Sequence, residues 1–459
     1  MDKPDKSIII IHQAHYEIPS NQEERKIKKP LVIFSLALTL TIPFKNACAA
    51  GSGSYRLEAV DAEALGKGLA FAAQADNPSA VYFNPAGLTQ LKGKTYVSLG
   101  AGAIQPFCSY KDDTTGERTN RRRQTFIIPN FFVVSDFGLE KFSFGAGESS
   151  YWGLGTYWAE DSFSKYVATK TDYRTDDVML TGAYEINDNL SIGLAADYTN
   201  SYVNKKRMLS QQTWGGADGD LQLKGSDKNA WGYRLSTLYK ANKQHSFGFM
   251  YRSPVDVKYK GKIYLNGLNG AYASPAYFGG SSYETEITCK TTLPQSVVFG
   301  YCYKPNDKLK LEFDTEWMDW SSIEEEKIEY PSESNAGRLS VLNAGNPAPR
   351  DWKPSFAYAV GAEYKVNEIL KLRAGYIFHE TPIPQVNFET SVPDAKSNIV
   401  TLGAGIKLKE NVGIDIAYAA MFYAARNVKN DVGSLSGADI NGKYETFINI
   451  CVVTLTFKI

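Results

Sequence analysis

Residues 309–317 read Leu309-Lys310-Leu311-Glu312-Phe313-Asp314-Thr315-Glu316-Trp317. In an extended chain Leu309, Leu311, Phe313 and Trp317 share one face, and Lys310, Glu312, Asp314 and Glu316 share the other. A period of two is the signature of a β-strand, and four charges on one face call for water on that side. Residues 370–378 repeat the pattern: Leu370, Leu372, Ala374, Tyr376 and Phe378 oppose Lys371, Arg373 and Gly375. Residues 412–422 do so again, with Val412, Ile414, Ile416, Tyr418 and Phe422 against Gly413, Asp415 and Ala417. Segments 190–198 and 356–364 follow the same rule. A helix, with its period of 3.6, cannot keep these faces apart.

The connections alternate between tight and long. Asn187-Asp188-Asn189, Asn242-Lys243-Gln244, Asn306-Asp307-Lys308, Asn367-Glu368 and Glu410-Asn411 carry turn chemistry, since Asn and Asp bond their own backbone and tolerate left-handed conformations. Stretches 205–228, 258–284 and 321–352 read instead as long polar loops. Short turns on one side and long loops on the other describe an outer-membrane β-barrel with its turns in the periplasm. Hairpins counted back from the C-terminus predict an all-β, antiparallel transmembrane barrel of about fourteen strands over residues 94–459. The last strand, 447–459, must pair with the first, near 95–104, because an open edge in lipid strands backbone groups at several kcal/mol each.

Composition agrees. The 50 basic and 50 acidic residues cancel, which excludes a nucleic-acid partner by charge. Mean hydropathy is negative, which excludes a bundle of membrane helices, while the 29 Tyr, 23 Phe and 38 Gly suit strands that face lipid on one side only. The longest apolar run, 31–44, is too short to span a bilayer as a helix. It follows Arg25, Lys26, Lys28 and Lys29 and precedes Ala47-Cys48-Ala49-Ala50, so residues 1–50 read as a secretory signal peptide with a long charged region. Lys45-Asn46-Ala47 lacks the apolar residue expected before a lipidated cysteine. Cys108, Cys289, Cys302 and Cys451 show no metal or redox spacing, and whether Cys108 and Cys289 pair is left open. No metal or cofactor site is expected.

Residues 51–93 do not alternate. They carry Leu65, Leu69, Phe71, Val81, Tyr82, Phe83 and Leu88 at low charge, with a weakly helical stretch over 59–75. Such a segment belongs inside the barrel as an N-terminal plug rather than in solution. Its motif is Asp76-Asn77-Pro78-Ser79-Ala80-Val81-Tyr82-Phe83-Asn84-Pro85-Ala86-Gly87-Leu88. Together with Tyr251-Arg252-Ser253-Pro254-Val255, Leu293-Pro294-Gln295-Ser296, Glu316-Trp317-Met318-Asp319-Trp320-Ser321-Ser322, Arg373-Ala374-Gly375-Tyr376 and Thr381-Pro382-Ile383-Pro384, it resembles the FadL family of long-chain fatty-acid transporters, some of which import toluene-like aromatics. The resemblance covers nearly the whole mature chain. One departure is the C-terminus, Phe457-Lys458-Ile459, where these barrels usually end in an aromatic residue.

The resemblance implies a monomer in outer-membrane lipid that takes long-chain fatty acids or similar hydrophobic molecules by loop capture. They then enter a pocket beside the plug and leave sideways through a wall gap made by a kinked third strand. That strand is expected over 142–151, with Gly145 and Gly147 as the kink, because glycine inside a strand commonly marks a bend. Asn84, Pro85 and Ala86 are assigned to shaping the plug, Pro because it fixes its own φ and lacks a donor. Arg207 and Lys206, with Lys205 beside them, are the candidates for a ligand head group. Arg252 and Arg373 also point inward, and the alternative for any of these cations is a lumenal charge paired with Glu312, Asp314, Glu316 or Glu363. The rival readings are a general diffusion porin and a surface adhesin or receptor. Catalysis is not expected: His379-Glu380 has no nucleophile motif beside it.

Overall fold

The computed structural model describes residues 54–212 and 216–459. The leader expected at 1–50 lies outside the described residues. From Thr95 the chain runs up and down as a closed antiparallel barrel of fourteen strands. They are β1 (Thr95–Asp112), β2 (Phe126–Ser135), β3 (Phe142–Ser149, then Gly153–Tyr157), β4 (Lys170–Asn187), β5 (Leu190–Leu209), β6 (Gly219–Lys240) and β7 (His245–Arg252, then Val255–Asn266). There follow β8 (Ser282–Leu293, then Ser296–Tyr303), β9 (Leu309–Met318), β10 (Ser355–Lys365), β11 (Leu370–His379), β12 (Ser397–Lys409), β13 (Val412–Tyr423) and β14 (Gly442–Lys458).

The ring closes where β14 pairs β1, from Tyr96↔Lys458 to Asp112↔Gly442. The non-aromatic terminal residue completes this seam: Ile459 N donates to Thr95 O at 2.8 Å, and Thr95 N donates to Ile459 O at 3.1 Å. Both seam strands run further outward than the alternation predicts, and segments 205–228 and 258–284 are partly strand as well. The reason is solvent. Above the membrane the outward face meets water, so Lys224, Lys258 and Lys260 stand where lipid-facing residues would be and the apolar alternation disappears. Within the membrane the outward face is apolar and exposed, as at Leu194, Trp231, Leu235 and Leu402.

The periplasmic turns are built as their sequences predict. Asn187, Asn242, Asn306 and Asn367 each use Oδ1 to accept two backbone N–H groups, from the second and third residues on, at 2.8–3.0 Å. Each tight hairpin is therefore pinned by its own first residue.

Residues 54–93 are almost wholly buried. They form α1 (Ala62–Gly66), capped by Asp61 Oδ1 on Ala64 N at 2.9 Å, then α2 (Ala80–Phe83) and a 3₁₀ turn over Pro85–Gln90. α1 is far shorter than the stretch 59–75 suggested: Gly68 and Leu69 both take positive φ just beyond it, a conformation that ends a helix. α1 packs on β11, β12, β13 and β14, and the 3₁₀ turn on β3, β4, β5 and β6. The segment thus touches both halves of the ring and fills the space between them.

Close contact requires wall residues without side chains. A Cβ on Gly193 would stand 2.4 Å from Ala86 N, whereas one on Gly182 would meet nothing nearer than 3.9 Å. Gly193→Val is therefore expected to cost about 1–3 kcal/mol as an overpacked site, and Gly182→Val about nothing. Limited proteolysis of the folded barrel checks this: cleavage within residues 54–93 should rise only in the Gly193 variant.

Candidate functional site

The four charges of residues 309–317 all meet the N-terminal segment. Lys310 Nζ lies 3.0 Å from Asp76 Oδ2. Glu312 accepts the backbone N–H groups of Ala73 and Gln74 at 2.9 Å and Lys67 Nζ at 3.1 Å. Asp314 Oδ2 accepts the N–H groups of Phe71 and Ala72, again at 2.9 Å. Glu316 pairs with Arg56 and accepts from Tyr151 Oη at 3.4 Å. This face of β9 was expected to meet water; it meets backbone instead. Hydrogen bonds from N–H to a carboxylate contribute about 1.5–3 kcal/mol each, and they satisfy donors that no helix or sheet serves.

Other strands repeat the device. Arg234, fully buried, donates to the carbonyls of Val81 and Tyr82 at 2.6 and 2.8 Å, and Asp197 holds its other edge at 2.6–3.1 Å. Arg252 joins Asp197 at 3.1 Å, and Arg373 joins Glu363 at 2.8 Å and Asp415 at 2.6 Å. Arg373 takes its expected carboxylate; Arg252 takes a different one. Asn84 is buried, donates to Ala72 O at 2.6 Å and Thr237 O at 3.1 Å, and accepts from Ala86 N at 3.1 Å. Pro85 opens the 3₁₀ turn where its missing N–H is harmless, and Ala86 N also donates to Ser236 Oγ at 2.9 Å.

The third strand is interrupted, but not at its glycines. Gly145 and Gly147 are paired on both edges, to Val134 and Phe132 of β2 and to Thr181 and Met179 of β4. They make room rather than a bend: a Cβ on Gly145 would meet Val81 at 2.5 Å, and one on Gly147 the Phe132 ring at 2.4 Å. The break comes at residues 150–152. Ser149 pairs Asp177 and Gly153 pairs Arg174, so β3 spends four steps where β4 spends three. One extra residue is a β-bulge, and it bends the strand that carries it. Beyond it β3 keeps its ladder with β4 and has none with β2. β2 loses its second partner over residues 126–130, and the Asn130 amide is buried without a hydrogen bond. The displaced residues turn inward to the N-terminal segment: Leu57 N donates to Tyr151 O at 2.9 Å, and Gly153 N to Tyr55 O at 2.7 Å. Arg121 and Arg122 bridge the top of the break, to Gly155 O and Tyr157 O.

Above the segment, among the loops, lies a cavity of about 830 Å³. Its walls mix apolar residues such as Leu221, Leu223, Ile328 and Leu342 with Lys205, Arg207 and Arg350, and its rim holds the exposed Val386 and Leu435. Arg207 faces inward with Val203 and donates to Tyr166 O at 3.2 Å; it forms no ion pair among the described residues. Lys206, on the other face of β5, is exposed at the border of the same cavity. A smaller inner pocket, about 60 Å³, shares Lys205, Leu223, Glu326, Ile328 and Arg350 with the outer one and reaches Tyr55 and Leu154 at the break. Glu326 stands between the two, with Lys205 at 2.5 Å and Arg350 at 2.7 Å, while Arg350 also holds Glu389 at 2.7 Å. Burial works against the Glu326 carboxylate, but Lys205 and Arg350 outweigh it and hold it well below the usual carboxylate range. Tyr55 is ringed by Tyr173, Trp320 and Trp352 at centroid distances of 5.0–5.9 Å.

Sequence reasoning set Lys205 beside Arg207 without giving it a role, and missed Glu326 and Arg350. The parity of β5, which puts 203, 205 and 207 on one face, was a usable sign for Lys205; nothing local marked the loop residues. Cys108 and Cys289 are free. His379 closes β11 in a buried contact with Glu58 at 3.2 Å.

A closed barrel with an apolar outer face, a lumen occupied by its own N-terminal segment and a loop-walled cavity above it defines an outer-membrane transport barrel. The chain belongs to the outer membrane protein transport protein family (OMPP1/FadL/TodX), whose model matches residues 45–458. It is 24% identical over 417 residues to a long-chain fatty acid transport protein of Escherichia coli O6:H1, covering 84% of this chain and 90% of that one. With outer membrane protein P1 of Haemophilus influenzae it shares 23% identity over 84% of this chain and 89% of the other. Its fold matches a Pseudomonas aeruginosa FadL homologue (TM-score 0.76, 18% identity, 88% of this chain and 99% of that one). It also matches the Ralstonia pickettii toluene transporter TbuX (TM-score 0.66, 18% identity, again 88% and 99%).

Replacing both β9 carboxylates, Glu312→Gln with Asp314→Asn, removes the charge from four backbone contacts. The barrel should still shift on gels run with and without heating. Single-channel conductance in a planar bilayer should rise, because the segment is no longer held; unchanged conductance would show that the other contacts suffice.

Proposed function

We propose that this chain carries long-chain fatty acids or similar hydrophobic compounds across the outer membrane, with residues 51–93 acting as a plug. The observation that carries this reading is the bulge at residues 150–152. Past it β2 has no β3 partner over residues 126–130, and Leu154, just beyond the same bulge, lines the inner pocket with Tyr55. A ligand would settle among Val386, Leu435 and the apolar cavity walls, pass to the inner pocket, and leave sideways through the interrupted ladder. Each CH₂ removed from water contributes about 0.8 kcal/mol, so a sixteen-carbon tail favours such a route over water by roughly 10 kcal/mol. The outer cavity falls in the range typical of small-molecule sites, about 300–1,000 Å³. The packed lumen weighs against a general porin.

Carboxylate-bearing ligands are favoured over neutral hydrocarbons by the surplus of cations. Lys205 and Arg350 are already matched by Glu326 and Glu389, whereas Arg207, Lys206 and Lys429 line the same cavity without an ion pair among the described residues, and of these Arg207 is the one that faces inward from β5. Arg207→Met should weaken palmitate binding to detergent-solubilised protein by about tenfold and leave its methyl ester unchanged, as read by isothermal titration. Equal losses for both ligands would remove Arg207 from the head-group role.

The exit is tested by restoring register. Deleting Ser150 removes the one surplus residue, so that β3 can pair both neighbours throughout. Uptake of labelled fatty acid by cells should then fall at least tenfold while binding to the purified protein persists. Unimpaired uptake would place the exit elsewhere.

A further inference from the structure

On the outward face of the barrel seam, three cations stand side by side across paired strands. Arg118, in the short strand Arg118–Asn120, pairs Lys111 of β1, and Lys111 pairs Lys443 of β14. Their strand neighbours Tyr110 and Tyr444 are buried inward, so the three charged side chains lie on the outer surface. Directly paired residues in a sheet sit about 4.5–5.5 Å apart, and like charges placed so are destabilising. One carboxylate shares that face: Glu445, with Lys443 Nζ at 2.6 Å. Asp113 and Glu117 lie in the turn beyond the row, farther from the membrane. Arg123 adds a fourth cation, its guanidinium 5.6 Å from the Phe107 ring centre.

The height of the row is informative. Four residues nearer the membrane, Phe107, Phe447 and Phe422 form a second paired row, with ring centres 6.3 and 5.0 Å apart. Girdles of outward aromatics mark the membrane interface. Four residues of strand span about 13 Å, and about 10 Å along the membrane normal at the usual barrel tilt. The cations therefore stand at the level of the outer-leaflet head groups rather than in open water or in hydrocarbon. We propose that Arg118, Lys111, Lys443 and Arg123 form a docking site for the phosphorylated sugar head group of the outer-leaflet glycolipid, lipopolysaccharide. Arginine and lysine bind phosphate oxygens through charge-assisted hydrogen bonds, and a bound phosphate relieves the repulsion within the row. Phe107, Phe447 and Phe422 would pack on the acyl region below.

The upper part of β7 offers a contrast. Lys258, Lys260 and Lys262 also face outward there, and Lys258 pairs Lys290 directly, but Lys262 is engaged by Glu284 at 2.6 Å and Asp256 and Glu286 share the surface. That mixed patch supplies the control.

The test uses the full chain in detergent, titrated with lipid A and with lipid A stripped of its phosphates, and read by native mass spectrometry. Phosphorylated lipid A should bind at least tenfold tighter than the stripped form, and millimolar inorganic phosphate should not displace it. The variant Lys111→Gln/Arg118→Gln/Lys443→Gln should lose that preference, whereas Lys258→Gln/Lys260→Gln/Lys262→Gln should keep it. Equal affinity for the two lipids, displacement by inorganic phosphate, or equal loss in both variants would overturn the proposal. The two-lipid comparison on the unaltered chain decides it even where a variant fails to assemble.

Discussion

A polypeptide segment enclosed by a barrel must find partners for its backbone, and most of this structure follows from how β9 supplies them. Glu312 and Asp314 accept four consecutive N–H groups, Phe71 through Gln74, from a stretch that is neither helix nor strand. Left unpaired in a buried site, each such donor would cost about 1–3 kcal/mol. Buried carboxylates are costly too, and Lys67 beside Glu312 offsets part of that charge. Arg234 does the converse for two carbonyls of α2. The wall and the segment therefore complete each other's hydrogen bonding, which explains why so polar an inner face belongs to a tightly packed interior.

The same constraint accounts for the break in β3. A strand that leaves a membrane sheet must bond elsewhere, and residues 151 and 153 do so with Leu57 and Tyr55. The bulge is thereby held open by the segment it touches, and Arg56 fastens that segment to Glu316, which Tyr151 also reaches. Wall, break and N-terminal segment form one hydrogen-bonded unit. A change in the first residues of the segment can bear directly on the shape of the wall, without any relay through distant parts of the barrel.

Glycines mark where these parts meet. Gly193 and Gly248 leave room for the backbone at Ala86 and Ala72, contacts that any side chain would obstruct. Gly145 likewise makes room for Val81 of the segment, and Gly147 for the Phe132 ring of the neighbouring strand, while the strand is interrupted three residues beyond them, at 150–152. Gly145, Gly193 and Gly248 thus mark places where the enclosed chain comes close to the wall.

Alternation along the strands, Asn-led turns and a leader-like start were enough to determine the class of fold, its approximate strand number and its membrane, because lipid and lumen impose a local, two-residue rule on every spanning segment. The apolar residues of 54–93, outside any alternation, pointed to a segment that is not a spanning strand, and that stretch is buried against the wall. Which charges meet was decided only by closure: Glu312 lies 238 residues from Gln74, and no local pattern records a partner at that distance. The break at residues 150–152 was hidden for a related reason. A bulge is a difference in count between two strands, so it exists only in their pairing and not in either strand read alone.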